Sequence, residues 1–386
     1  MTPGDEEDVS IVGMYQNEYV AIPKEFTDPF IESCTMRYEN ILIASSHQIE
    51  NCLCLISGQQ CYQIEEDILK ISLYGTIHRG WILQRSTDEE ISLIRTTNDY
   101  QIVIKKFKKI DVENLSRADD PMQEFAALQS LDESPPSPPS PLPHQQQEKG
   151  YPHPNVLGQI ACLCDREYYY SVMKYCDGGE LCSQILGIGP VNELQGRQYF
   201  LQLLDALEFL QSKGIFHRDI SLENVLVIKP TNQILLIDFG MCLQISLYYD
   251  STSSTLRPYL LPPLPAKGKK SYMAPEIIAE STPFDGFKSD IWSLGILLFT
   301  MLTGKFIVTH ASSLCPLYRH LRNGRLKEMC AHWKLGLSDE VQCLLFDMLA
   351  VDPKKRPTVA EIREYSWCRL PEASDGDFEG SIAAGA

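Results

Sequence analysis

The residue order predicts an α+β chain folded as two lobes, the first strand-rich with one main helix and the second helical. Three observations carry this. From about residue 70 to 118 short apolar, strand-like runs dominate, ending in "YQIVIKKF". From "YPHPNVLGQI" to about Leu370 helical patterns take over; "QYFLQLLDALEFLQSKG" repeats apolar residues at Phe200, Leu203, Leu204, Leu207 and Leu210 before Gly214 ends it. Between them "YYYSVMKYCDGGEL" is an extended apolar stretch that breaks at Gly178-Gly179, as a short hinge between two packed units would.

Taken in order, residues 1–69 mix short apolar runs with polar breaks, which suggests accessory strands packed on the main domain. That domain is expected over 70–370, with a first lobe at 70–173, a hinge at 174–177 and a second lobe at 178–370. The main helix of the first lobe starts at "DDPMQEFAALQSL". Asp120 can cap it, Pro121 suits its first position and Gln123 completes a capping box. The following "DESPPSPPSPLPHQQQEKG", residues 132–150, cannot pack a core and reads as a spacer. Its Ser-Pro steps at Ser134, Ser137 and Ser140 also suit a polyproline II ligand for a proline-recognition domain. Residues 371–386 are small and acidic, the composition of a disordered tail.

With 34 basic against 51 acidic residues the net charge is −17, which argues against nucleic acid or an anionic membrane as a partner. No apolar run is long enough to span a bilayer, and the acidic start "GDEEDV" is not a secretory leader. The 13 cysteines are scattered without zinc-knuckle spacing; reduced thiols in a cytoplasmic or nuclear protein account for them.

The chemistry concentrates in a few short stretches. "HRDISLEN" places Asn224 five residues after Asp219, and "ILLI" leads into Asp238 of "DFG". An aspartate at the end of an apolar strand, followed by a flexible glycine, is delivered to a cleft. Asp238 and Asn224 offer the oxygens a hard cation such as magnesium prefers, leaving Asp219 to orient a hydroxyl and take its proton. Lys105 lies in a strand between apolar neighbours, so it needs an anionic partner such as a phosphate with a carboxylate.

Together these stretches resemble a eukaryotic-type protein kinase of the serine/threonine class: "VIK" at Lys105, "HRDISLEN", "DFG", "YMAPE" at 272–276, "SDIWSLGILLF" and "DPKKRPT" occur in family order over roughly 70–370. "YCDGGEL" and "PFDGFKSDIWSLGILLF" look closest to the calmodulin-dependent and AMP-activated group. The resemblance implies the bilobal kinase fold, with ATP and magnesium as cofactors and a Ser/Thr hydroxyl of a protein as substrate. Carried over by position, Lys105 would contact the α- and β-phosphates and be held by Glu124, with Glu113 the second choice. The hinge follows Met173, with the Lys174 carbonyl and the Cys176 amide meeting adenine and Glu180 reaching the ribose. Asn224 and Asp238 would hold the metal. Glu276 and Arg356 would form a buried pair. Arg218 would meet a phosphate on the segment "LYYDSTSST", at Thr252 to Thr255, Tyr248 or Tyr249.

Three departures stand out. The phosphate-covering loop should read G-x-G-x-x-G-x-V; "GTIHRGWI" offers Gly75, Gly80 and Ile82 but puts Ile77 in place of the middle glycine. Ser221 stands where most serine/threonine kinases have a lysine beside the catalytic aspartate, and Lys269 of "GKKSYMAPE" stands where they have the threonine that packs against it. The pair is read as exchanged, with Lys269 reaching Asp219 from the other wall. Glu180 and Glu223 match positions that hold substrate arginines, which suggests a preference for upstream Arg. Ile77 and Ser221 also leave an alternative: a catalytically weak pseudokinase serving as a scaffold.

Overall fold

The computed structural model describes residues 41–49, 52–57, 60–72, 75–85, 93–95, 101–113, 121–132, 152–251 and 255–369, and every structural statement below concerns these. Asp120, the Ser-Pro steps, Thr252 and the tail at 371–386 lie outside them.

The first lobe is one nine-stranded sheet built from β1 (Leu42–Ile43), β2 (Ser45–Ile49), β3 (Cys52–Ser57), β4 (Gln60–Ser72), β5 (Gly75–Arg85), β6 (Leu93–Arg95), β7 (Gln101–Lys108), β8 (Ala161–Cys164) and β9 (Tyr168–Lys174). Its order is β1-β8-β9-β7-β5-β4-β3-β2, with β6 on β5; β1 joins β8 in parallel and the remaining pairs are antiparallel. The boundary expected between residues 69 and 70 falls inside β4. The described strands before it continue the same sheet because their alternating apolar residues share its core: Leu55, Tyr62 and Ile64 pack with Ile102, Ile104, Tyr170 and Val172.

The period of two sorts the other strands by face. Opposite pairs Ile77–Lys105, Val103–Met173 and Lys105–Ser171 share one face, while Gly80–Ile102 and Ile82–Tyr62 share the other. After the short α1 (Lys109–Glu113) comes α2 (Pro121–Asp132), which buries Phe125, Ala126, Ala127, Leu128 and Leu131. Phe125 meets Phe107 of β7 edge to face at 5.8 Å. The Gln123 amide donates to the Cys242 carbonyl, tying α2 to the segment after "DFG"; the capping box expected with Asp120 lies outside the described residues.

The second lobe begins with α3 (Leu181–Ile188) and α4 (Glu193–Ser212). Asn192 caps α4 by accepting from Gln195 N at 2.9 Å, and Phe200, Leu203, Leu204, Leu207 and Leu210 form its buried stripe as the spacing predicts. The site loops are carried by β10 (Ile215–Phe216), the hairpin β11 (Val225–Ile228) and β12 (Gln233–Leu236), and β13 (Leu243–Gln244), which pairs with β10. A second hairpin, β14 (Leu247–Asp250) and β15 (Thr255–Pro258), precedes the short α5 (Pro275–Ala279). The axis of the lobe is α6 (Gly286–Thr303), buried from Ser289 to Leu302 and capped by the Asp285 carboxylate on Phe287 N and Lys288 N. No described helix is long and apolar enough to cross a membrane.

Candidate active site

β7 presents Lys105 to α2, and its ammonium lies 2.5 Å from Glu124 Oε1, with the two side chains 15% and 6% exposed. Glu124 is therefore the helix partner. Burial pushes its carboxyl above the usual range, Lys105 opposes that rise and Asp238 adds to it. Asp238 shows the reverse balance. Burial pushes it up, but Lys105, Lys269, His217 and the Gly240 N–H together hold it below its ordinary value, so it stays ionised. Asp238 sits at φ 69° directly after Ile237, whose N–H donates to Asn224 O at 2.9 Å.

The loop after β10 is anchored from α6. Asp290 Oδ2 accepts from His217 N at 2.9 Å and Oδ1 from Arg218 N at 3.1 Å, which fixes Arg218 at φ 70°. This anchor is absent from the residues singled out in the sequence. Its only trace there is an acid within the otherwise apolar "SDIWSLGILLF", and a buried acid needs donors. Asn224 spends its Nδ2 hydrogens on Asp219, donating to O at 2.8 Å and Oδ2 at 2.7 Å, so its carbonyl oxygen is the atom left for a cation. Lys269 Nζ lies 2.9 Å from both Asp219 Oδ2 and Ser221 Oγ. Burial leaves the His217 imidazole easier to deprotonate than usual, although Asp219 and Asp238 favour its cation.

The Arg218 guanidinium donates to Pro265 O at 3.2 Å, within the segment between "DFG" and "YMAPE", and burial lowers its pKa to about 10 against the pull of Cys242 and Asp290. Of the hydroxyls expected near it, Tyr248, Tyr249 and Thr255 lie exposed on the β14–β15 hairpin. At the hinge, Met173 stands opposite Val103 on the Lys105 face. Tyr175 N donates to Gln101 O at 3.0 Å, and the Cys176 thiol is pushed up to about 12, chiefly by burial and then by Asp177. Glu180, expected at the ribose, forms an ion pair with Lys70 of β4.

The phosphate loop is displaced from where the glycines point. Residues 75–85 are one continuous strand, and Gly80 is paired on both sides, to Ile64 and to Ile102. A Cβ on Gly80 would stand 2.3 Å from Gln63 O, so this glycine serves strand packing. Ile82 lies on the face opposite Lys105 and packs into the sheet core. β4 and β5 are paired out to Ser72–Gly75, where Ser72 Oγ donates to Gly75 O at 3.1 Å. The stretch Lys70-x-Ser72-x-x-Gly75-x-Ile77 has the loop spacing with the last glycine alone retained, and Ile77 takes the branched position facing Lys105.

Away from the cleft, Arg356 grips Glu276 through two bonds of 2.6 and 2.7 Å with its side chain wholly buried, as the resemblance implied. The two aspartates, the asparagine and the Lys105–Glu124 pair thus converge on one cleft, although they come from opposite lobes.

The model of the "Protein kinase domain" family matches residues 145–368, more than half of the chain. Lys105 and Glu124 lie upstream of that match, so their pairing is a finding of the structure. Over 218 residues, 56% of this chain, the sequence is 35% identical to CBL-interacting serine/threonine-protein kinase 10 of Arabidopsis thaliana, covering 42% of that protein. It is 31% identical over the same length to CBL-interacting protein kinase 15 of Oryza sativa subsp. japonica, covering 46% of it. Sperm motility kinase 3A of Mus musculus is 32% identical over 215 residues, with 39% of its length covered. The chain spans less than half the length of these curated relatives. A family match over most of the second lobe and the site geometry above agree: the chain belongs to the protein kinase domain family.

Proposed function

We propose that this chain is a protein serine/threonine kinase that transfers the γ-phosphoryl group of ATP to a Ser/Thr hydroxyl of a protein. The observation that carries the reading is the Lys105–Glu124 ion pair, formed across β7 and α2 while Asp238 is held ionised beside it. Phosphoryl transfer is mostly positioning and electrostatics, and these are the groups that position and neutralise phosphates. The donor set fits magnesium: one ionised carboxylate from Asp238 and one amide oxygen from Asn224, a number suited to an ion that keeps waters and substrate phosphates. Bound Mg-ATP supplies the phosphoryl group and neutralises its charge. Lys105 holds phosphate oxygens, the hinge backbone at Lys174 and Cys176 meets the base, and Asp219 orients the acceptor hydroxyl and takes its proton.

Two observations weigh against the scaffold alternative: Ser221 has the Lys269 ammonium against it, and the relatives matched are named as kinases. The relatives' names support the serine/threonine class. Their CBL interaction is not carried over, since the match spans less than half of each. The free thiols among the described residues support a reducing, cytoplasmic or nuclear setting. The test is transfer from γ-labelled ATP to a Ser/Thr peptide library, with wild type beside Asp219→Asn and Lys105→Met. Transfer lost in both variants is expected. Wild-type protein that binds Mg-ATP yet transfers nothing above Asp219→Asn overturns the reading.

A further inference from the structure

A phosphoryl group moving between two oxygens is stabilised by a fixed cation close to the acceptor, in a site that excludes water. In this site the cation nearest Asp219 comes from the segment preceding α5. Lys269 Nζ is 2.9 Å from Asp219 Oδ2, and its side chain is 12% exposed against 3% for the aspartate. The same ammonium donates to Ser221 Oγ at 2.9 Å.

The backbone is built for this reach. Lys269 N donates to Asp219 Oδ1 at 3.2 Å, so main chain and side chain of one residue clamp both oxygens of one carboxylate. Gly268 makes the approach feasible: it sits at φ 99°, and a Cβ there would stand 2.7 Å from Arg218 O and 3.2 Å from Asp219 Oδ1. Ser221 is wholly buried, and its short side chain ends where the ammonium begins. A longer cationic side chain at 221 and the Lys269 ammonium would compete for one place.

We infer that Lys269 is the cation that steadies the transferred phosphoryl group, delivered from the wall opposite the catalytic loop. In the step it serves, the acceptor oxygen bonds to the γ-phosphorus as the β–γ bridging P–O bond breaks. That electron pair leaves with ADP, and the hydroxyl proton passes to Asp219. Lys269 exchanges no atoms; it offsets charge on the moving phosphoryl oxygens and keeps Asp219 aimed.

The inference rests on the phosphotransferase reading, so wild type and Asp219→Asn are compared first; transfer that Asp219→Asn abolishes secures that reading independently of Lys269. Steady-state kinetics then compare Lys269→Met, Lys269→Thr and the exchanged variant Ser221→Lys/Lys269→Thr, each checked by thermal shift with Mg-ATP. Both single variants are expected to lose at least about 50-fold in kcat with KM for ATP within about threefold, the pattern of an interaction made chiefly in the transition state. The exchanged variant is expected to recover at least about a tenth of wild-type kcat, which a structural role for Lys269 would not produce. The inference is overturned by kcat of Lys269→Met within about threefold of wild type, or by a folded, ATP-binding exchanged variant no faster than Lys269→Thr. If the exchanged variant fails to fold, the kcat of Lys269→Met alone decides by the same limits.

Discussion

Lys70 of β4 and Glu180, the residue that follows Gly179 beyond the hinge, form an ion pair that joins the two lobes. Lys70 is 57% exposed at its side chain and Glu180 23%, so the pair is worth less than about 1 kcal/mol and is weakened by salt. Its consequence is for recognition. Glu180 matches a position that holds substrate arginine, and an internal lysine already occupies it. Lys70→Ala is expected to raise, about threefold or more, the ratio of kcat/KM for peptides with arginine two or three residues upstream to that for Arg-free peptides. Equal ratios for the two peptide classes in wild type and Lys70→Ala would remove Glu180 from substrate selection.

The placement of the phosphate loop is testable through strand parity. Ile77 faces Lys105, whereas Ile82 packs into the sheet core with Tyr62. Ile77→Ala is expected to raise the KM for ATP severalfold with little loss of stability. Ile82→Ala should cost about 2 kcal/mol in denaturant unfolding and leave that KM within about twofold. Reversal of the two effects would return the loop to the glycines at 75 and 80.

The buried Lys105–Glu124 pair predicts a pH signature. The Glu124 carboxyl is raised above its ordinary value, mainly by burial, and Lys105 is the group that opposes the rise. A carboxyl whose folded pKa is raised gives stability that is complete below the unfolded pKa and is lost as pH rises through the folded one. Lys105→Met removes the opposing charge, so the loss deepens at neutral and alkaline pH. The melting-temperature deficit of Lys105→Met should be largest near pH ~8, worth up to about 3 kcal/mol, and should shrink on acidification toward pH ~5.5. Adding Glu124→Gln should flatten the dependence. A deficit independent of pH would show that Glu124 is not left carrying a buried charge.

Arg356 gives a stability effect separable from catalysis. Besides its two bonds to Glu276 it donates to Ala350 O and Lys288 O at 2.8 and 2.9 Å, with its side chain wholly buried. Arg356→Met strands a carboxylate that keeps one hydroxyl, Ser289 Oγ at 2.7 Å. Equilibrium unfolding should report a loss of about 3–5 kcal/mol, part of it restored by Glu276→Gln. A loss under 1 kcal/mol would mean the pair does not hold the lobe together.

The sequence by itself determined the two-lobed α+β class, and it singled out Lys105, Asp219, Asn224 and Asp238, because those features are local: apolar periods and charged residues at fixed short spacings. What it read wrongly or missed depends on partners far along the chain. "GTIHRGWI" has glycines at suggestive intervals, but only the pairing of β5 with β4 and β7 shows that Gly80 fits against Gln63 and that Ile82 faces away from Lys105. Asp290 becomes a loop anchor only when α6 is packed beneath His217 and Arg218. The exchange between Ser221 and Lys269 was legible as two odd residues. Their 2.9 Å contact, across 48 positions of chain, was decided by the tertiary fold. One-residue shifts flip a strand's faces, and a buried charge takes its partner from whatever packs against it, so neither outcome is fixed by local spacing.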